Sequence, residues 1–356
     1  MKEIIIKLGE RSYKVVVGVN LREEINEEIK RLAPSSLLLI TDKNLYPLYG
    51  RKIEEICSQT PFFKVLLPPG EKGKNLKWVM KIYTQAIKNN LDRDSVFLTL
   101  GGGSVGDTGG FSASTYLRGV RYIQLPTTLL SMVDSSIGGK TGVDFLAKNI
   151  VGTFYQPSSV IADIRTLETL PLRTYKNGIA EVVKYGFIKD GEILQILEKK
   201  KKEILGKDEE VLEEIITRSV RIKGEIVEKD EKEKGLRAIL NFGHTLGHAI
   251  EYASRFKIWH GEAVSLGMIG ALYISWQMGI TGKENLERLE RILKIYELPT
   301  RWKGKDYEAL YPLLLKDKKR KEGKIKFVLL RNIGETEIRD DVPEELIRET
   351  LYYLQK

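Results

Sequence analysis

Between Ser36 and Asp163 the chain repeats one pattern: a short aliphatic run, a polar turn, then a connecting stretch, in places with clear helical spacing. Strands are expected at Ser36–Thr41, Phe63–Leu67, Val96–Leu100, Tyr122–Leu125 and Val160–Asp163, with helices at Leu21–Leu32 and Asn75–Asn89. Short apolar strands separated by helical crossovers pair in parallel, and such a sheet must be covered on both faces. Ahead of it, Lys2–Lys7 and Tyr13–Val17 flank the turn Gly9–Ser12 and read as a hairpin. In sheets of this kind ligands sit beyond the carboxyl ends of the strands. Asp42, Glu71 and the glycines after Leu100 all fall at such ends.

Those glycines form Gly101-Gly102-Gly103-Ser104-Val105-Gly106-Asp107, a G-x-G-x-x-G match between a strand and a helix. Glycines there let backbone N–H groups approach a pyrophosphate at a helix N-terminus. No acid follows about 20 residues later to hold a ribose, as the usual dinucleotide fingerprint requires. Asp42 and Glu71 are the available substitutes, so a nucleotide is expected in a domain that is not a standard dinucleotide-binding unit. The later loop Asp134–Gly142 contains GGKT, which resembles a P-loop only superficially because the first glycine is missing.

Around Leu170-Pro171 the composition changes, which divides the chain into 1–170 and 171–356. The second part reads as helical: Ile179–Ile188, Glu192–Leu205, Glu209–Lys229, a strand at Lys326–Arg331 and a closing helix at Val342–Leu354. Lys199–Lys202 and Lys316–Lys324 are basic runs, most simply solvated surface.

A length of 356 residues suits two domains, and a net charge of +9 favours an anionic partner. No aromatic-interleaved basic stripe or DNA-reading motif accompanies the charge, which points to a small anion and away from nucleic acid. The single cysteine, Cys57, excludes an intramolecular disulfide and fits a reducing cytoplasm. The opening MKEIIIKLGER has too short an apolar run for a signal peptide. Ala263–Ile280 runs 18 residues without a charge, but its serines and glycines read as a helix buried in a globular core and not as a membrane span.

All three histidines, His244, His248 and His260, lie within Asn241–Glu262. Asn241–Ala253 has helical spacing, which puts His244 and His248 on one face at i and i+4. Imidazole is the commonest metal ligand and a proton carrier near neutral pH. A catalytic zinc needs three protein ligands. His244 with His248, or either with His260, supplies two, and a carboxylate must come from elsewhere. In the otherwise apolar helix around Ala180–Gly186, Glu181 and Lys184 stand at i and i+3, and charges on such a face are costly unless paired or ligating.

Taken together, GGGSVGD, RG…PTTLL, VDSSIGGKTGV, GIAEVVKYG, RAILNFGHTLGHAIE and HGEAVSLGM resemble the 3-dehydroquinate synthase family of the shikimate pathway, in order and over nearly the whole chain. The resemblance implies an α/β N-terminal nucleotide-binding domain with a parallel-rich sheet and a mainly α-helical C-terminal metal-binding domain. It implies bound NAD and one divalent metal, zinc or alternatively cobalt, held by Glu181, His244 and His260. By the same resemblance NAD contacts come from Asp42, Asn44, Glu71, Lys74, Gly103, Ser104, Val105, Gly106, Asp107, Thr127, Thr128, Lys140, Lys148, Thr166 and Thr169. Substrate and proton transfer fall to Asp134, Lys140, Asn149, Lys184, Lys223, Arg237, Asn241 and His248, with a further lysine in the Lys318-Lys319 pair, Lys319 being preferred. Arg118 matches an arginine that reaches a neighbouring subunit's phosphate site, which implies a homodimer.

The implied reaction is a lyase reaction converting 3-deoxy-D-arabino-heptulosonate 7-phosphate to 3-dehydroquinate and phosphate. It proceeds by transient oxidation at C5, phosphate elimination, re-reduction, ring opening and aldol closure. The alternatives are a related sugar-phosphate cyclase, a metal-dependent polyol dehydrogenase with NAD, and a nucleotide-binding module without catalysis. Two places depart from the family pattern: the short stretch Asp144–Asn149, and Leu246 in place of a phenylalanine.

Overall fold

A computed structural model describes residues 1–304, 310–314 and 325–356. The whole Lys316–Lys324 run, Lys318 and Lys319 included, lies outside the described residues. The chain forms two compact units, one of Met1–Leu170 with Leu212–Glu228, the other of Pro171–Val211 with Lys229–Lys356. The chain therefore leaves the first unit at Leu170 and returns to it for a stretch of one helix. The two continuous segments expected from sequence do not include that return.

The first unit is built on a seven-stranded sheet. Its strands are β1 (Lys2–Ile6), β2 (Tyr13–Gly18), β3 (Leu37–Asp42), β4 (Phe62–Leu67), β5 (Val96–Gly101), β6 (Arg121–Pro126) and β9 (Ser159–Asp163), in the order β1-β2-β9-β6-β5-β3-β4. Only the β1–β2 hairpin is antiparallel; the other pairs are parallel. Along β3 the alternate residues divide between two cores. Leu37 and Leu39 pack with helix α1 (Arg22–Leu32) and Ile53 of α2 (Arg51–Ile56). Leu38 and Ile40 pack with α3 (Leu76–Lys88) and with Val105 and Ala113 of α4 (Gly103–Thr115). Burial on both faces is why β3 reads as an uninterrupted apolar run. Each such leucine contributes about 1.5–3 kcal/mol of burial.

Sequence reasoning missed a second hairpin, β7 (Lys140–Phe145) with β8 (Ala147–Phe154), in the stretch taken for loop. β8 is mostly exposed, so no buried face imprints a period of two on its sequence. Leu146 turns the hairpin at φ +59°, almost fully exposed.

The second unit is helical. It contains α5 (Leu172–Ile188), α6 (Gly191–Lys199), α7 (Lys201–Leu205), the ends of α8 (Glu209–Lys229), α9 (His244–Ala253), α10 (His260–Gln277), α11 (Lys283–Ile295) and α12 (Glu344–Tyr353). The single helix expected over Glu192–Leu205 is broken at Lys200, whose φ of −112° and ψ of 39° leave the helical region. A hairpin of β10 (Phe327–Asn332) and β11 (Glu335–Arg339) packs against α10; the sequence had indicated only its first strand. α10 is buried along nearly its whole length, as expected for Ala263–Ile280. Among the described residues no helix is long and apolar enough to cross a membrane.

Candidate functional site

In the first unit the parallel strands deliver a ring of polar groups at their carboxyl ends. Asp42 closes β3, and its Oδ1 accepts the backbone N–H groups of Asn44 and Leu45 at 2.8 and 3.0 Å. Beyond β4, Glu71 accepts a hydrogen bond from Ser104 Oγ at 3.0 Å. Lys74, almost fully buried, lies 2.5 Å from Asp107 Oδ2. Burial alone would lower the Lys74 pKa, but the carboxylates of Asp107 and Glu71 outweigh it and hold the ammonium charged.

Beyond β5, α4 starts at Gly103 with its N-terminal N–H groups at the strand end. Gly106 packs closely on β6, where a Cβ would come within 2.6 Å of Gln124 Oε1 and push that side chain aside. Val105 is buried in the core, so only its backbone is available to a ligand. Thr127 and Thr128 follow β6, and Thr128 Oγ1 pairs with Ser131 Oγ at 2.8 Å. After β9, Thr166 donates to the Asp163 carbonyl at 2.7 Å, and Thr169 pairs with the Tyr49 hydroxyl at 2.8 Å.

Three further groups of expected residues belong to this unit. Lys223 on α8, nearly buried, donates to the Asp134 carbonyl at 2.6 Å and lies 2.9 Å from Asp134 Oδ1. Residues 89 apart in sequence thus form one cation–carboxylate pair. Lys140, Lys148 and Asn149 sit on the exposed β7–β8 hairpin, where the Asn149 N–H bonds Asp144 Oδ1 at 2.8 Å. The Asp144 N–H bonds the Lys74 carbonyl at 2.9 Å, which ties the hairpin's turn to the strand-end loops. Arg118 stands apart. It lies in an exposed left-handed turn with Leu117, before β6 begins, whereas Thr127 and Thr128 follow where β6 ends.

In the second unit three helices converge. Glu181, fully buried on α5, turns its Oε1 to within 3.6 Å of His244 Nε2 and 3.4 Å of His260 Nε2. Lys184, one turn along α5 and nearly buried, pairs with Glu181 Oε2. His244 and His260 are the first residues of α9 and α10, so each ring stands at a helix start. The helix expected from Asn241 begins only at His244. A 3-10 turn over Leu236–Asn241 and a left-handed Gly243 (φ +79°) precede it. α9 and α10 pack closely because Gly267 has no side chain; a Cβ there would sit 1.8 Å from the Gly243 carbonyl oxygen. That approach brings the His244 and His260 rings to 5.3 Å between centroids, with His248 5.2 Å from His244.

The surroundings push the two rings in opposite directions. Burial, reinforced by the nearby Lys184 ammonium, holds the His244 pKa well below the ordinary value. For His260 burial acts the same way, but Glu181 and Glu251 outweigh it and raise the pKa to about 9. Glu251, on α9, is the residue that sequence reasoning missed. Its carboxylate is buried and lies 3.6 Å from His260 Nδ1. Its signal was present: His244, His248 and Glu251 fall at i, i+4 and i+7, one stripe of α9.

Two sets of donor atoms lie within 4.8 Å of one another, Glu181–His244–His260 and His248–Glu251–His260. Two imidazole nitrogens and one carboxylate oxygen make the donor set of a three-ligand catalytic zinc site, and in the first set the carboxylate and the His244 ring are shielded from solvent. The expected group therefore fits these residues. In the same unit, buried Arg237 donates through Nη1 to the Glu231 carbonyl at 2.5 Å, and its N–H bonds Asp230 Oδ2 at 2.9 Å. Asn241 Nδ2 donates to Glu233 Oε1 at 3.2 Å.

Known proteins resemble the chain along its length. Profiles of the 3-dehydroquinate synthase N-terminal and C-terminal regions match residues 64–177 and 178–320. The 3-dehydroquinate synthase of Symbiobacterium thermophilum is 45% identical over 358 residues, covering 99% of this chain and 100% of that one. Among solved structures, 2-deoxy-scyllo-inosose synthase complexed with carbaglucose-6-phosphate, NAD+ and Co2+ has a TM-score of 0.90 at 27% identity, with 99% of each chain covered. The 2-epi-5-epi-valiolone synthase of Streptomyces hygroscopicus, with NAD+ and Zn2+ bound, has a TM-score of 0.89 at 27% identity, with 98% of each covered.

Proposed function

We propose, from the premise that this chain belongs to the 3-dehydroquinate synthase family, that the Glu181–His244–His260 cluster is its catalytic metal centre. The protein is an enzyme of that family, converting 3-deoxy-D-arabino-heptulosonate 7-phosphate to 3-dehydroquinate and phosphate. The observation that carries the placement is the convergence of one buried carboxylate and two imidazole nitrogens from three helices, in a chain related over its full length to that enzyme. Zinc or cobalt suits the donor set. When bound, the metal supplies Lewis acidity at vicinal hydroxyls. Bound NAD supplies a hydride acceptor and, later in the same turnover, the donor that returns the hydride.

The chain's own residues do the rest. Lys184 holds the Glu181 carboxylate in place. The Lys184 charge and burial keep His244 in the neutral form that ligation needs. His248, exposed beside the cluster, relays the proton leaving the substrate hydroxyl. In the second unit Arg237 and Asn241 bind the anionic substrate. In the first unit the Asp134–Lys223 pair, Lys140 and Asn149 serve the same purpose, and cations of this kind suit a carboxylate and a phosphate. The strand-end loops of the first unit, from Asp42 to Thr169, hold the dinucleotide. The N-terminal N–H groups of α4 face its pyrophosphate, and Glu71 or Asp42 its ribose. Lys148, on the exposed hairpin, belongs to the same set.

Arg118 lies roughly 20 Å from Thr127 and Thr128, given about 3.3 Å per residue along six-residue β6. By the family resemblance Arg118 serves the phosphate site of a second copy, and the working form is a homodimer in the cytoplasm. A relation to inosose or valiolone synthases is shared fold at 27% identity. Arg237 and Lys223 favour a substrate with the extra carboxylate.

The test is incubation of the purified protein, with zinc and NAD, with the heptulosonate phosphate. Equimolar phosphate and 3-dehydroquinate should appear without lasting NADH absorbance. NADH accumulating with a polyol would favour the dehydrogenase instead, and absence of phosphate release would sink the reading.

A further inference from the structure

Glu251 has no role in the reading above, yet it is a buried carboxylate against a proposed ligand. Its side chain is 8% exposed, and an ionised carboxylate so shielded is costly unless a polar partner faces it. The His260 ring sits between two carboxylates from two helices. Its Nε2 is 3.4 Å from Glu181 Oε1 on α5, and its Nδ1 is 3.6 Å from Glu251 Oε2 on α9. Glu181 also reaches His244 Nε2 and so sits where ligands converge, whereas Glu251 lies on the far nitrogen of the same ring. Metal-bound imidazoles regularly give their second N–H to a carboxylate, which fixes tautomer and ring orientation.

We propose that Glu251 is a positioning residue that holds His260 with its proton on Nδ1 and Nε2 aimed at the metal. This rests on the Glu181–His244–His260 reading. The geometry separates the two carboxylates by task. A flip of the ring about Cβ–Cγ would put Cε1 where Nε2 faces Glu181 and Cδ2 where Nδ1 faces Glu251, so it would forfeit both carboxylate contacts. With Glu251 there, the flipped ring gains nothing on the α9 side, and the neutral ring presents its lone pair to the metal from one atom only. His248, one turn before Glu251 on the same stripe, keeps its own ring for proton transfer.

The experiment uses the full chain. Zinc affinity is measured by competition with a chromophoric chelator for the unsubstituted protein, Glu251→Gln, Glu251→Ala and His260→Ala. Nitrogen-15 NMR of histidine-labelled, zinc-loaded protein then reads which His260 nitrogen is metallated. Glu251→Gln, which keeps the volume and loses the charge, should bind zinc about 10-fold more weakly, and Glu251→Ala up to about 100-fold. The metallated nitrogen should be Nε2 alone in the unsubstituted protein and mixed in Glu251→Ala. If Glu251→Ala does not fold, the Glu251→Gln affinity and spectrum decide. Zinc affinity in Glu251→Gln equal to that of the unsubstituted protein, with Nε2 alone metallated, overturns the proposal. If His260→Ala also keeps its zinc, the metal-centre reading fails; if only the Glu251 variants keep it, the positioning role alone fails.

Discussion

Among the described residues two glutamates are fully buried, and they are buried differently. Glu28, on α1 in the first unit, is saturated by donors: Arg31 reaches it twice, at 2.5 and 3.0 Å, and Lys14 Nζ lies 3.3 Å away. Glu181, on α5 in the second unit, is braced on one oxygen by Lys184 while its other oxygen faces two imidazole nitrogens at 3.4 and 3.6 Å. Those separations exceed a hydrogen bond. The first arrangement closes on itself; the second leaves electron-pair donors aimed at a common point. Burial of a charge is therefore not in itself a functional sign. What marks function is a buried carboxylate whose neighbours are also potential ligands.

Removing each glutamate should separate the two cases. The largest effect is expected from Glu181→Ala, which should lose essentially all bound metal and with it all metal-dependent phosphate release, as checked by elemental analysis of the purified protein. Metal retained at one equivalent would erase the contrast with Glu28. Next, His248→Ala should keep the metal and lose about 10²–10⁴-fold in turnover, the range for a lost proton carrier. Equal metal loss in that variant would move His248 into the ligand set.

The smallest effect belongs to Glu28→Gln. It should leave metal content unchanged and cost about 1–3 kcal/mol in urea unfolding, as for a lost charged hydrogen-bond partner. The cost stays modest because Arg31 and Lys14 retain solvent contact once Glu28 is gone. Burial alone would raise the Glu28 pKa, but Arg31 and Lys14 outweigh it and hold it below the ordinary 4.5. A carboxylate with a depressed folded pKa adds stability that is present above the unfolded value and lost as the pH falls through the folded one. Glu28→Gln should therefore flatten the acid limb of the stability profile and leave the neutral region shifted by a constant amount.

The two regions also differ in how legible they are from sequence. Parallel strands buried on both faces leave long aliphatic runs, so β3, β5, β6 and β9 were readable within a residue or two of their ends. The β8 strand was not, because an exposed ribbon puts no hydrophobic period into its residues. Nor was the break before α9, where helical spacing continues through Asn241 but Gly243 adopts a left-handed conformation. In the cluster, spacing selected His244 and His248 as neighbours on one helix. The partnership of His244 with His260 depends on how close α9 and α10 come, and that is set by a glycine–carbonyl contact between residues 24 apart, Gly243 and Gly267. Glu251 was overlooked because a glutamate two turns from a histidine is ordinary on a solvated helix, and only its burial distinguishes it.

The return of Leu212–Glu228 to the first unit carries a consequence for how the chain is made. Ile6 on β1 packs so closely on Gly224 that a Cβ there would come within 2.4 Å of it, and the Lys7 N–H bonds Glu228 Oε1 at 2.7 Å. Residues of the β1 edge thus wait for partners more than 200 residues later in the chain. The first unit cannot complete itself as a nascent fragment ending near Leu170, and its edge hairpin stays uncovered until α5 to α7 of the other unit have also been synthesised. Domains ordinarily fold in the order in which they emerge. Here the order of completion is interleaved, because the first unit gains its last helix only after part of the second has been made.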